Sequence, residues 1–246
     1  MHIDINCDMG EGMLNDKALM PFISSANIAC GYHAGDEDTI KQTITYCLEN
    51  NVAIGAHPGF KDKTNFGRIP QQLTANELHD VVAEQINIVK DICARMGAIL
   101  HHVKPHGALY NMAAVDANMG SIIANVIKEM DKNLILYGLS NSHSITAAKA
   151  IGLKTANEVF ADRTYQSDGT LTPRTMSGAL IKNDDEAIEQ VLWMIEKKKV
   201  KTVTGELIPI QAETICIHGD GQHALSFAQQ IYSTLQSRHI HVQTIL

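Results

Sequence analysis

The sequence predicts an α/β protein whose mostly parallel sheet closes into a barrel of seven strands. Three observations carry that expectation. Short apolar runs of β type alternate with longer amphipathic ones, the order expected of β-then-α units with helices outside a parallel sheet. Nearly every apolar run ends in polar residues, often His with Gly, as in NIACGYHAGD, VAIGAHPGF, ILHHVKPHGALYN and TICIHGDG. An open doubly wound sheet would gather such residues at one switch point, whereas a barrel collects all its strand C-termini around one mouth.

The expected strands, in order, are 2–6, 25–30, 52–56, 99–104, 134–138, 155–160 and 214–218. Amphipathic segments lie between them. Asp36 is placed to cap the first, DEDTIKQTITYCLEN. The second, 73–97, pairs Thr74 with Glu77 as a capping box and Leu73 with Leu78 as a staple, and stops at Gly97. Its residues Leu78, Val81, Val82, Ile86, Val89 and Ile92 or Cys93 recur at the helical period. ANMGSIIANVIKEM and GQHALSFAQQIYSTLQ read the same way, and KNDDEAIEQVLWMIEKKK opens with Asn183 and Glu186 as a second box. VKTVTGELIPIQ, residues 200–211, reads as a β-hairpin turning at Thr204 and Gly205, inserted before the last strand. No repeat, low-complexity tract or linker interrupts the chain, so residues 1–246 are expected to form a single domain.

Composition narrows the function. A net charge of −7 argues against a nucleic-acid binder, which needs a basic stripe to displace counterions from phosphates. The one basic run, EKKKVK at 196–201, reads as a solvated helix end. Five cysteines, an odd count without C-x-x-C spacing, indicate reduced core thiols. Cys7 neighbours Asp8, which would raise its pKa and blunt it as a nucleophile. No secretory pattern opens the chain, and no apolar stretch approaches the roughly 18 residues of a membrane span. A cytoplasmic protein without membrane partners is expected. Phosphate-loop, dinucleotide-fingerprint and nucleophile-elbow motifs are missing from the sequence.

The polar strand ends supply the candidate site. Asn6, Asp8 and Glu11 follow the first apolar run in a Gly-bearing turn, where two carboxylates three apart could hold a metal, act as acid and base, or cap a helix. His33 follows the second strand. His57 precedes Pro58, whose ring keeps it extended, and the loop running on to Arg68 could close over a ligand. Alternation puts His102 and Lys104 on one face of the fourth strand and His101 with Val103 on the other, without saying which faces the mouth. Lys104 and His106 at the rim are the better catalytic candidates, because a buried lysine needs an anion; Tyr110 lies just beyond. Arg163 could clamp a carboxylate or pair with Asp162. The last strand offers His218 and Asp220. Asp8, Glu11, His57, Lys104, His106 and His218 are thus expected to be catalytic, and Asn6, His33, Arg68, Tyr110, Arg163 and Asp220 to bind substrate.

The blocks DINCDMGEG, ACGYHAGD, GAHPGFKDKTNFGR, VKPHGALYN, EVFADRTYQSDGTLTPR and ICIHGDG run in order from residue 4 to residue 221. They closely resemble the signature blocks of the LamB/YcsF family, which supplies the A subunit of bacterial 5-oxoprolinase. The resemblance implies an irregular seven-stranded (β/α) barrel like that of glycoside hydrolases and polysaccharide deacetylases. It implies ATP-dependent opening of 5-oxo-L-proline to L-glutamate together with B and C subunits, with ATP and Mg2+ bound by, or shared with, those partner subunits. Deacetylases with a related barrel hold a divalent ion on an Asp and two His, a set that Asp8, His33 and His57 could supply. A metal-dependent hydrolase of a carbohydrate-like substrate is therefore the first rival reading. A non-catalytic lactam-binding component is the second, and a homo-oligomer is compatible with either.

Overall fold

The computed structural model describes residues 1–218 and 224–246. Strands are β1 (His2–Met9), β2 (Ser25–Ala29), β3 (Ala53–His57), β4 (Leu100–Val103), β5 (Ile135–Leu139), β6 (Lys154–Phe160), β7 (Lys199–Lys201), β8 (Leu207–Pro209), β9 (Thr214–Ile217) and β10 (His241–Val242). Helices are α1 (Asp16–Leu19), α2 (Glu37–Asn50), α3 (Ala75–Arg95), α4 (Gly107–Val115), α5 (Ala117–Met130), α6 (His143–Ala150), α7 (Asp184–Leu192) and α8 (Ala224–Ser237). β1 to β6 pair in sequence, all parallel, and β9 closes the ring by pairing with both β6 and β1. The seven expected strands are therefore the seven staves of a closed barrel. β10 adds a short parallel edge beside the start of β1, while β7 and β8 form an antiparallel hairpin outside the ring.

Local signals place the helices. Asp36 accepts the Thr39 amide at the start of α2, and Thr74 and Glu77 form a reciprocal capping box on α3. Asn183 accepts the Glu186 amide at the start of α7. α4 and α6 were not legible as amphipathic helices. α4, GALYNMAAV, is wedged between the barrel and its neighbours and buries Ala108, Leu109, Tyr110, Ala113 and Ala114, so no polar stripe marks a solvent face. Among the described residues no helix is long and apolar enough to cross a membrane.

Each barrel strand divides its side chains by alternation. Ile3, Ile5, Cys7 and Met9 of β1 join the apolar layer under the helices. Asp4, Asn6 and Asp8 point into the barrel, so β1 runs on through residues expected to follow it. The barrel interior is polar and cross-linked. Low in it, Asp4 accepts hydrogen bonds from Ser24, Ser25 and Thr214, and Ser25 meets the Tyr137 hydroxyl at 3.2 Å. The C-terminal tail covers this end: Thr244 reaches Ser25 and the Ile245 carbonyl accepts from His101. His102 is the inward-facing member of the histidine pair, stacked on Tyr137 at 4.1 Å and bonded to Asn27 at 2.8 Å. His101 is the outer one and serves the tail, so both brace the barrel below its mouth.

Gly55 makes room for His102. A Cβ there would sit 2.1 Å from the His102 Nε2 atom. Gly55→Ala is expected to push the ring off Asn27 and to destabilise the fold by about 1–3 kcal/mol, the usual range for overpacking. A chemical-denaturation midpoint unchanged from the parent chain would refute this account of the glycine.

Candidate active site at the barrel mouth

Lys104 stands just past β4 with its amide bonded to the Ala56 carbonyl, and its ammonium is buried inside the barrel. The Nζ atom lies 2.9 Å from Asp8 Oδ1, 2.8 Å from Glu158 Oε1, 3.1 Å from Asn6 Oδ1 and 3.2 Å from Cys216 Sγ. The anion that a buried lysine needs thus comes from β1 and β6 of the protein itself. Burial opposes the charge, but Asp8, Cys216 and Glu158 more than offset it, and the Lys104 pKa lies well above the ordinary value. Asp8 shows the converse. Burial would raise its pKa, yet His57 and Lys104 bring it well below the carboxylate range. Asn27 donates to Asp8 Oδ1 at 2.8 Å, and Asp8 Oδ2 lies 3.3 Å from His57 Nε2.

Beside this ion group lies a cluster of imidazoles. Glu11 Oε1 is 3.1 Å from His33 Nε2, 3.3 Å from His106 Nδ1 and 3.8 Å from His57 Nε2. Burial and then the neighbouring Asp8 charge raise the Glu11 pKa. Burial, followed by repulsion from His57, lowers His33 to about 3. Burial with His57 and His33 nearby holds His106 well below an ordinary histidine. The loop after β3 folds over the cluster. Gln85 ties Gly59 through both its amide and its carbonyl. At Gly67, whose φ of +62° favours glycine, a Cβ would lie 3.0 Å from the His33 Cβ and 3.1 Å from His106 Cδ2.

Across the mouth, His218 completes a second array. Its Nδ1 is 2.9 Å from both Asp162 oxygens and its Nε2 is 3.0 Å from an Arg174 nitrogen. Burial disfavours the His218 charge, but Asp162 outweighs that effect and lifts its pKa above the ordinary value. Asp162 is thus the partner of His218 and not of Arg163. The Arg163 guanidinium donates to the Ala179 and Thr172 carbonyls and pins the loop that follows β6.

One cleft of about 720 Å³ opens among these groups. Its walls include Asp8, Glu11, His57, Lys104, His106 and His218, with Arg68, Tyr110 and Arg163 from the expected binding set. Asn6 lies deeper in the barrel, bonded to Thr214 and Asn27, and His33 lies behind the wall against His106. Asp220 falls outside the described residues. Sequence reasoning missed Glu158 and Arg174 and offered Asp162 only Arg163 as a partner. The signal for Glu158 was present as a lone carboxylate inside the apolar run of β6, where only a paired charge is tolerated.

Among the described residues two groups have the donor atoms for a metal: Glu11, His33, His57 and His106, and separately Asp8, Cys216 and His218. Of the expected trio, His33 and His57 lie with Glu11 and His106, while Asp8 meets His57 Nε2 at 3.3 Å through Oδ2 and gives Oδ1 to Lys104 and Asn27.

Other proteins share this arrangement of chain and fold. The A subunit of 5-oxoprolinase from Tolumonas auensis is 48% identical over 248 residues, covering 99% of each chain. The lactam utilization protein of Thermus thermophilus superposes with a TM-score of 0.92 at 34% identity over 100% of both chains. A family 4 carbohydrate esterase from Streptomyces lividans, 12% identical, covers 100% of this chain and 93% of its own with a TM-score of 0.52, a likeness of fold alone. The sequence profile described as the LamB/YcsF family matches residues 3–246, from the second residue of β1 to the C-terminus, and with it every strand end that builds the cleft. The chain belongs to the LamB/YcsF family.

Proposed function

We propose that this chain is the A subunit of a 5-oxoprolinase, opening 5-oxo-L-proline to L-glutamate with hydrolysis of ATP and acting in the cytoplasm with B and C subunits. The observation that carries the reading is similarity over essentially the whole chain to a protein named for that role. The cleft agrees with it. A lactam of this size fills only part of about 720 Å³, leaving room for a phosphoryl donor or a partner's side chain. Because the sequence carries no phosphate loop, ATP with Mg2+ is assigned to partner subunits or to a site shared with them.

A five-membered lactam is a stable amide, so its carbonyl carbon must be activated. Transfer of the γ-phosphoryl group to the lactam oxygen makes that carbon electrophilic. Water then adds and gives up one proton, and as the ring C–N bond breaks the nitrogen gains a proton while the new hydroxyl gives up its own to become the acyl carbonyl. The γ-glutamyl phosphate so formed is split by a second water to glutamate and phosphate. Asp8 is ionised across the working range, and its Oδ2 orients the attacking water and takes its proton. Its low basicity suffices because phosphorylation has already made the carbon reactive. His218, hydrogen-bonded to Asp162 through Nδ1, which lifts its pKa, passes a proton to the departing nitrogen once Nε2 is released from the Arg174 guanidinium, to which it can only accept in the resting arrangement. Arg68, Arg163 and Arg174 on the cleft wall place positive charge near the substrate carboxylate and the phosphoryl group.

The test is glutamate release from 5-oxo-L-proline with ATP, comparing this chain alone, the B and C partners alone, and all three together. Release only from the complete mixture is the expected result. No release from any mixture would overturn the reading.

A further inference from the structure

We propose that Glu11, His33, His57 and His106 bind one divalent transition-metal ion of the zinc class in the wall of the cleft. The first argument is spacing. A tetrahedral ion with bonds of about 2.0–2.1 Å separates its ligand atoms by about 3.3 Å. Glu11 Oε1 meets His33 Nε2 at 3.1 Å, His106 Nδ1 at 3.3 Å and His57 Nε2 at 3.8 Å. His57 Nε2 and His106 Nδ1 are 2.9 Å apart. The four donors come from the β1 turn, the loop after β2, the end of β3 and the start of α4, so tertiary structure alone assembles them.

The second argument is the direction of the lone pairs. His57 Nδ1 is 2.7 Å from the Lys104 carbonyl, and His106 Nε2 is 2.9 Å from the Phe66 carbonyl. A carbonyl only accepts, so each of these nitrogens carries its hydrogen, and in the neutral ring the opposite one presents a lone pair. With both rings neutral, two lone pairs face each other across 2.9 Å in a buried site, beside the Glu11 oxygen and with Asp8 Oδ2 3.3 Å from His57 Nε2. A cation between them relieves that repulsion. Imidazoles locked by backbone carbonyls are also the usual outer shell of a metal-binding histidine. The His33 Nδ1 atom is buried without a hydrogen-bond partner. The His33 ring stacks on His106 at 3.7 Å, so Glu11, His57 and His106 form the core of the site and His33 joins by tilting off that stack.

The other donor group is not an alternative. The Lys104 ammonium lies 2.9 Å from Asp8 and 3.2 Å from Cys216, and a second cation there would meet direct repulsion. Three imidazoles and one carboxylate suit zinc, cobalt or nickel over magnesium or calcium. The assignment stands on this geometry and not on the oxoprolinase reading, and its test reads metal and not turnover.

The full chain, purified without chelators, is assayed for bound metal by mass spectrometry, then stripped and titrated with Co2+ while the visible ligand-field spectrum is followed. One ion per chain and a tetrahedral cobalt spectrum are expected. Glu11→Gln and His106→Ala should each weaken cobalt binding by about tenfold or more, whereas His218→Asn should leave it unchanged. Glu11→Gln is nearly isosteric and stays informative if His106→Ala does not fold, which circular dichroism reports. A parent chain that neither retains metal nor gives the cobalt spectrum would overturn the proposal, leaving a shared proton between the two nitrogens. So would Glu11→Gln binding as tightly as the parent, or loss of binding in His218→Asn.

Discussion

Replacing Lys104 with Met is expected to destabilise the fold by about 3–5 kcal/mol, the range for breaking a buried ion group by removing one partner. For a chain of this length that corresponds to a fall in Tm of roughly 6–20 °C. Met fills most of the lysine stem, so the loss comes from charge and not from a cavity. The ammonium is the shared partner of Asp8 at 2.9 Å and Glu158 at 2.8 Å, and without it two carboxylates face each other in the barrel. The effect should reverse when the whole group is neutralised: Lys104→Met with Asp8→Asn and Glu158→Gln should recover most of the lost stability. A single variant within about 1 kcal/mol of the parent, or a triple variant no better than the single, would remove Lys104 from this role.

The pH dependence of stability follows from the same group. The depressed Asp8 carboxyl contributes stability that is present above its unfolded value of 3.8 and lost as pH falls through the folded value. The raised Lys104 pKa contributes stability that is present below its unfolded value of 10.5 and lost as pH rises through the folded one. Between those limits the pair holds its full contribution. Lys104→Met removes one of the charges that depress Asp8, His57 and His218 being the others, so its stability should fall less steeply than the parent's on acidification below about pH 4.

How much of this was legible in the sequence depended on whether the information was local. Strands and caps were, because alternation, Asp36 before Thr39, and Thr74 before Glu77 are contacts between near neighbours. The polar strand ends announced a mouth, and Asp8, His57, Lys104, His106 and His218 do meet there. Which of them touch was not legible. Lys104 binds Asp8 from 96 residues away, and His218 binds Asp162 from 56 away, distances set by barrel closure and not by spacing. Glu158 showed only as a lone carboxylate in the apolar run of β6, and nothing local named the lysine that faces it. Which carboxylate faces which imidazole was not legible for the same reason. Asp8, His33 and His57 share a mouth, and Asp8 reaches His57 with one oxygen at 3.3 Å, but the inward path of β1 turns its other oxygen toward Lys104 and leaves Glu11 to face His33 and His106.

Asp8→Asn separates the chemistry from the scaffold, and it is expected to lower kcat in the complete oxoprolinase mixture by about 10²–10⁴-fold with the fold intact. The fold should survive because Lys104 keeps Glu158 at 2.8 Å, so no buried cation is left alone. The asparagine oxygen can still accept from Lys104 and from Asn27 Nδ2, as Asp8 Oδ1 does at 2.9 and 2.8 Å. What changes is the other oxygen, which becomes an amide NH2 next to His57 Nε2 and can no longer take a proton from water. The loss should therefore fall on kcat with little change in KM, the signature of an interaction made only in the transition state. Glu158→Gln is the informative contrast. Glu158 is completely buried behind Lys104, so neutralising it should perturb stability more than turnover. If Asp8→Asn keeps activity within about tenfold of the parent while Glu158→Gln abolishes it, the proton acceptor is not Asp8, and the base must be sought among the imidazoles on the opposite wall.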